Sequence, residues 1–151
     1  MKIAPDFTLK DTHNKDVILS EYIGKKNVVL LFFPLAFSGV CTKELCSTRD
    51  NLKIYDSLNT EVFGISIDSF FTLRAFKEAN NLNFKLLSDF NKEVSKEYDA
   101  LYENYYGMKG VSKRSVFVID KKGRITYQEI LEDSDKLPDF NKVQQALADI
   151  A

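Results

Sequence analysis

Val28-Val29-Leu30-Leu31-Phe32-Phe33-Pro34-Leu35-Ala36-Phe37-Ser38-Gly39-Val40-Cys41 joins an unbroken apolar run to a turn and then to a cysteine. Its first six residues are β-branched, aliphatic or aromatic, with no polar interruption. They read as a strand buried on both faces, the place of a central strand in a sheet covered by helices. Pro34 stops the strand, because it has no N–H for the ladder. Leu35 to Val40 read as a loop and Cys41 to Asn59 as a helix, with an apolar stripe at Leu45, Leu52, Tyr55 and Leu58. A thiol in a helix's first turn faces backbone N–H groups without intrahelical acceptors and the positive end of the helix dipole. Both favour the thiolate, the reactive form of cysteine. The dipole supplies roughly 0.3–2 kcal/mol, so a larger effect needs a cation nearby.

Working outward, Phe7 to Leu9 and Val17 to Leu19 read as short strands around the polar turn Asp11 to Asp16. Ser20 reads as the cap of a short helical turn that Gly24 ends. After the helix come a second core strand (Val62 to Ile67), a helix (Phe70 to Asn80), a short strand (Leu86-Leu87) and a short helix (Asn91 to Tyr98). Leu101 to Lys113 lacks periodicity and reads as an irregular loop. Ser115 to Asp120 and Arg124 to Leu131 read as strands around the turn Lys121-Lys122-Gly123, and Asp135 to Ala151 as a closing helix. The order β-β-β-α-β-α-β-α-β-β-α predicts an α/β fold: one mixed sheet flanked by helices, in a single domain over 1–151. No linker, repeat or low-complexity stretch divides it.

The composition agrees. The 151 residues are 44% hydrophobic, 13% aromatic and 28% charged, an ordinary balance for one globular domain. The 21 Lys and Arg against 22 Asp and Glu exclude a strongly basic nucleic-acid binder and argue against an acidic disordered tail. The apolar runs are far shorter than a membrane span, so no membrane insertion is expected. No secretory signal is visible at Met1-Lys2-Ile3-Ala4-Pro5-Asp6, which leads to the expectation of a reducing, cytoplasmic compartment. Two cysteines and one histidine do not make a Cys/His zinc site of the usual kind, and no metal or cofactor is expected. His13, in a polar turn, reads as solvent-exposed. Phe37, Phe70 and Phe71 read as core, although an aromatic beside the loop could pack on a partner subunit.

Pro34-x-x-x-Ser38-x-x-Cys41 resembles the peroxiredoxin signature Pro-x-x-x-Thr/Ser-x-x-Cys. The segment from Pro34 to Cys41 looks closest to the alkyl hydroperoxide reductase E subfamily. Thr42-Lys43-Glu44-x-x-Cys46 with Arg49-Asp50 looks like the bacterioferritin-comigratory, or peroxiredoxin Q, subfamily. Ala4 to Phe7, Leu87 to Asp89 and Arg114 to Asp120 extend the likeness over nearly the whole chain. The resemblance implies a thioredoxin-like fold and a thiol-dependent peroxidase acting on hydrogen peroxide and organic hydroperoxides. It implies that Cys41 attacks the peroxide and becomes a sulfenic acid, and that Arg114 is the cation beside it. Ser38 would hydrogen-bond the peroxide, with the methyl of the commoner Thr missing. Pro34 would shield the sulfur and rim the pocket, the amides of Val40 and Cys41 would donate to substrate oxygens, and Glu44 would hold Arg114. A thiol reductant such as thioredoxin or a glutaredoxin-like protein would close the cycle, on a monomer or a homodimer.

Cys46 has two readings. Its helical row, with Arg49, Asp50 and Lys53, is polar, while the apolar stripe passes through Leu45. That favours a resolving cysteine, forming a Cys41–Cys46 disulfide, over a passive one. A dithiol carrier would want Cys-x-x-Cys, and a copper-binding protein Cys-x-x-x-Cys with a late histidine; this chain has Cys-x-x-x-x-Cys and only His13. A binding module without chemistry would leave Ser38 and Arg114 idle.

Overall fold

In the computed structural model, which describes residues 2–151, the apolar run is strand β3 (Asn27–Phe32), buried along its whole length. Parallel to it lie β4 (Thr60–Ser66) and then β5 (Lys85–Ser88). On its other side β8 (Ser115–Ile119) pairs antiparallel with β3, and β9 (Ile125–Ile130) pairs antiparallel with β8. With β1 (Thr8–Asp11) and β2 (Asp16–Ile18) the mixed sheet has the order β2-β1-β5-β4-β3-β8-β9. Alternation along β3 divides the core into two layers. Val28, Leu30 and Phe32 share one with Phe117 and Ile119; Val29, Leu31 and Phe33 share the other with Val116 and Val118.

The second layer is roofed by Leu45 of α1 (Gly39–Asp50), Tyr55 of α2 (Leu52–Ser57), Leu73 and Phe76 of α3 (Phe70–Ala79), and Val143 and Leu147 of α5 (Phe140–Ile150). The first is closed by Phe7, Val17, Leu19, Tyr98 and Val94 of α4 (Glu93–Glu97). The expected α/β architecture is present.

Several features differ from the sequence reading. The helix read over 41–59 is two helices, broken at Asn51, whose φ and ψ are −110° and 12°. There the Asn51 side chain donates to the Ser47 carbonyl, competing with the helix for that acceptor. The loop read over 101–113 contains a small ladder, β6 (Leu101–Tyr102) with β7 (Val111–Ser112). The last helix starts at Phe140, not Asp135; Pro138 would break a longer one, and Asp139 accepts from the Lys142 amide as its cap. Ser20 lies inside a 3-10 turn, Leu19–Glu21, which it does not cap.

Gly64, in β4, lets Leu86 and Phe33 pack directly against the strand's backbone. A Cβ there would stand 2.7 Å from Leu86 Cδ2 and 3.4 Å from the Phe33 ring. Gly64→Ala is therefore expected to destabilise the protein by about 1–3 kcal/mol, as overpacking does. Denaturant unfolding checks this, and an unchanged midpoint would contradict it.

Candidate active site

β3 delivers its chain directly into the site. After Phe33 the loop 34–38 turns through Phe37, which takes a left-handed φ of 67°, and α1 begins at Gly39 with Ser38 as its N-cap residue. The helix starts two residues before the position read from sequence. Cys41 is therefore its third residue. The first helical hydrogen bond runs from the Thr42 amide to the Ser38 carbonyl at 2.9 Å, so the amides of Val40 and Cys41 lie ahead of it, unclaimed by the helix.

The second element is β8. Its antiparallel register pairs Phe32 with Ser115, which places Arg114 across from Phe33 and on the face occupied by Cys41 and Leu45. The Arg114 backbone is pinned there, since its carbonyl accepts from the Leu131 amide. Arg114 is 1% exposed, and Cys41 and Glu44 are 0% exposed. The guanidinium serves three partners. Nε donates to the Ser134 carbonyl at 2.8 Å, Nη1 to Glu44 Oε1 at 2.7 Å and Nη2 to Cys41 Sγ at 3.1 Å. Of its five N–H groups, three are thus engaged and two are spare.

Burial and mutual attraction compete over the charges of this cluster. Burial pushes the Glu44 carboxyl up to about 7 against the pull of Arg114, and Glu44 Oε2 is buried with no partner among the described residues. For Arg114, burial acts to release the proton, but the Glu44 carboxylate and the Cys41 sulfur outweigh it. The guanidinium keeps its charge. The N–H that a permanent cation holds on the sulfur is a charge-assisted donor aimed at the reacting atom. The two spare guanidinium donors and the two free amides then suit an electrophile whose departing atom takes up negative charge.

The structure thus brings Cys41, Arg114 and Glu44 into direct contact. Pro34 is buried where β3 enters the loop. The Ser38 hydroxyl lies in the same loop, and its hydrogen is committed to the Leu35 carbonyl at 2.8 Å, which leaves the oxygen free to accept. Cys46 lies further along α1, half-buried against the second core layer, with Sγ 3.6 Å from Asn80 Oδ1. The rest of its row stays polar: Asp50 and Lys53 are exposed, and Arg49 donates to the Asn80 carbonyl just past α3. Both cysteines are free. His13 is exposed, as its polar turn suggests. Phe37 and Phe71, read as core, are 57% and 67% exposed. Phe37 rests only one edge on Phe76, and Phe71 stacks on the half-buried Phe70.

Two contributors escaped the sequence reading. The Ser134 carbonyl comes from the connection between the last strand and the closing helix, to which no role was assigned. The carboxylate of Asp68, just past β4, accepts from the Ala36 amide at 2.8 Å inside the loop. A polar residue directly after a buried parallel strand was the available signal, since such strands carry sites at their carboxyl ends.

Residues 1–128 match the profile of the AhpC/TSA family. Alkyl hydroperoxide reductase E of Mycobacterium tuberculosis is 38% identical over 129 residues, covering 84% of this chain and 82% of that protein. The chloroplastic 2-Cys peroxiredoxin of Spinacia oleracea is 37% identical over 137 residues, covering 84% of this chain and 50% of that protein. The chain spans about half the length of such chloroplastic relatives. Among solved structures, peroxidoxin BcpB from Mycobacterium tuberculosis superposes with a TM-score of 0.88 at 28% identity, over 99% of this chain and 96% of that one.

Proposed function

This chain belongs to the AhpC/TSA family, and we propose that it is a thiol-dependent peroxidase reducing hydrogen peroxide and small organic hydroperoxides. The observation that carries this reading is the shared guanidinium: one nitrogen 3.1 Å from the Cys41 sulfur, another 2.7 Å from Glu44. The Cys41 thiol first loses its proton to solvent. The thiolate then attacks one peroxide oxygen, the O–O bond breaks, and sulfur is oxidised to sulfenic acid. The other oxygen leaves as hydroxide or alkoxide and takes a proton from water. The spare N–H groups of Arg114 and the amides of Val40 and Cys41 stabilise that departing charge. Ser38 Oγ accepts the peroxide O–H, and Pro34 keeps bulk water from the sulfur.

Cys46 resolves the sulfenic acid. Its thiol attacks the Cys41 sulfur, water leaves, and a Cys41–Cys46 disulfide forms. Thioredoxin or a glutaredoxin-like protein then reduces the disulfide. Such a cycle needs a supply of reduced thiols, which places it in a reducing compartment such as the cytoplasm. Five residues along an intact helix rise about 7.5 Å and turn about 140° beyond a full circuit. A disulfide needs Cα atoms within about 7 Å and Cβ atoms near 4 Å. The first turns of α1 must therefore unwind, and terminal turns are among the easier parts of a fold to open.

The reduced protein, without any added cofactor, is expected to consume about one equivalent of peroxide. Non-reducing peptide mapping should then find the Cys41–Cys46 bond. Absence of consumption would overturn the peroxidase reading. A Cys41 sulfenic or sulfinic acid as the sole product, with Cys46→Ser turning over unchanged on every reductant, would overturn the resolving role alone.

A further inference from the structure

Phe37 requires an anchor. A left-handed φ on a bulky aromatic costs of order 1–3 kcal/mol and persists only where the surroundings over-determine it. The ring does not supply that hold, being more than half exposed. Inside the loop, the Ser38 hydroxyl on the Leu35 carbonyl closes one side of the turn. The other hold comes from outside. Asp68 Oδ2 accepts both the Ala36 amide at 2.8 Å and the Ser66 hydroxyl at 2.7 Å. Asp68 is itself fixed, since its carbonyl accepts from the Ser88 hydroxyl at 2.6 Å. Ser66 and Ser88 are register partners at the ends of β4 and β5, and the Asp89 amide donates to the Ser66 carbonyl at 2.7 Å. A polar brace thus runs across the carboxyl ends of two parallel strands and ends on the one amide that sits between Pro34 and Phe37 besides that of Leu35.

We propose that Asp68 is a positioning residue of the peroxide site: its carboxylate clamps the Ala36 amide and so sets the loop that delivers Pro34, Ser38 and the first turn of α1 to Cys41. This role rests on the peroxidase reading. Asp68 has no contact with the sulfur. It acts through the backbone, where a displacement of about 1 Å can slow a reaction by up to about a hundredfold. A carboxylate suits the task because it accepts from two donors at once and holds an N–H more tightly than a neutral group.

The test compares Asp68→Ala and Asp68→Asn with the wild type. Two readouts are used: the single-turnover rate with hydrogen peroxide and the hydrogen exchange of the Ala36 amide. Asp68→Ala is expected to accelerate Ala36 exchange and to slow the peroxide step by about tenfold to a hundredfold, with cooperative unfolding retained. Asp68→Asn keeps an acceptor oxygen and is expected to restore the rate to within about threefold. An Asp68→Ala rate within twofold of wild type, or an Asp68→Asn rate as low as that of Asp68→Ala, would overturn the assignment. Should alanine fail to fold, Asp68→Gln, which displaces the acceptor by one methylene, must slow the step to a similar degree; a wild-type rate there overturns the proposal equally. Lack of peroxide consumption by the wild type instead strikes the peroxidase reading, and the Ala36 exchange then still decides whether the clamp exists.

Discussion

Cys41→Ser is expected to lose peroxide consumption to below a few per cent of wild type while the protein unfolds cooperatively as before. The loss is chemical. A serine hydroxyl does not ionise near neutral pH, and oxygen does not follow sulfur to a stable sulfenic-acid equivalent. The surroundings tolerate the change, because the Arg114 donor 3.1 Å from the sulfur can rest on a hydroxyl oxygen instead. Removal to below about 2% corresponds to more than about 2 kcal/mol of lost transition-state stabilisation, enough to be unmistakable in a single-turnover assay. Turnover above a few per cent in the folded variant would move the nucleophile elsewhere, and Cys46 is then the only other thiol in the chain.

The elements that sequence made legible are those whose pattern has one physical meaning. Val28 to Phe33 contains no polar residue, and only a strand covered on both sides accepts that; in the fold its odd and even residues enter different core layers. Pro34 then ends the ladder, and the thiol follows within the first turn of a helix. Arg114 was legible through its motif, and the β3–β8 register brings it beside a residue 73 positions away.

Other features have no local signature. The break at Asn51 is hidden because Leu45, Leu52 and Tyr55 keep helical spacing across it, while the competing bond from the Asn51 side chain depends on geometry. Strands β6 and β7 have two residues each, too few for any period. The start of α5 does have a local signal: Pro138 disfavours helical backbone at Leu137, and Asp139 can cap the helix that follows. Asp68 is a lone acid after a strand. Its meaning lies in an amide 32 positions earlier, and only the parallel β3–β4 pairing brings the two together.

Arg114→Ala is expected to slow the peroxide step by about a hundredfold to a thousandfold, the scale of a donor aimed at developing charge, and Arg114→Lys is expected to recover little of it. The guanidinium holds three partners on three nitrogens, at Ser134, Glu44 and Cys41. An ammonium is a single point of charge on a flexible stem and does not span them with the same planar fork. If lysine pairs with Glu44, the sulfur loses its donor; if it pairs with the sulfur, Glu44 is left alone in a dry site. Glu44 offers a way out of that second penalty. Burial already pushes its carboxyl up to about 7, with Arg114 pulling the other way. Without the arginine it keeps its proton at neutral pH, and the fold is spared an unpaired buried charge. The alanine variant should therefore remain folded and slow, which thermal unfolding and single-turnover peroxide kinetics distinguish from a protein that has merely collapsed. Glu44→Gln gives the complementary reading. It removes the carboxylate that orients Nη1 but leaves Nη2 near the sulfur, so its loss should be smaller than that of Arg114→Ala. In the double variant the two losses should fail to add, because both act through one guanidinium. A folded Arg114→Ala protein with a rate within about threefold of wild type, or a lysine variant restored to that level, would show that the charge beside Cys41 is structural and that the departing oxygen is stabilised by the amides of Val40 and Cys41 alone.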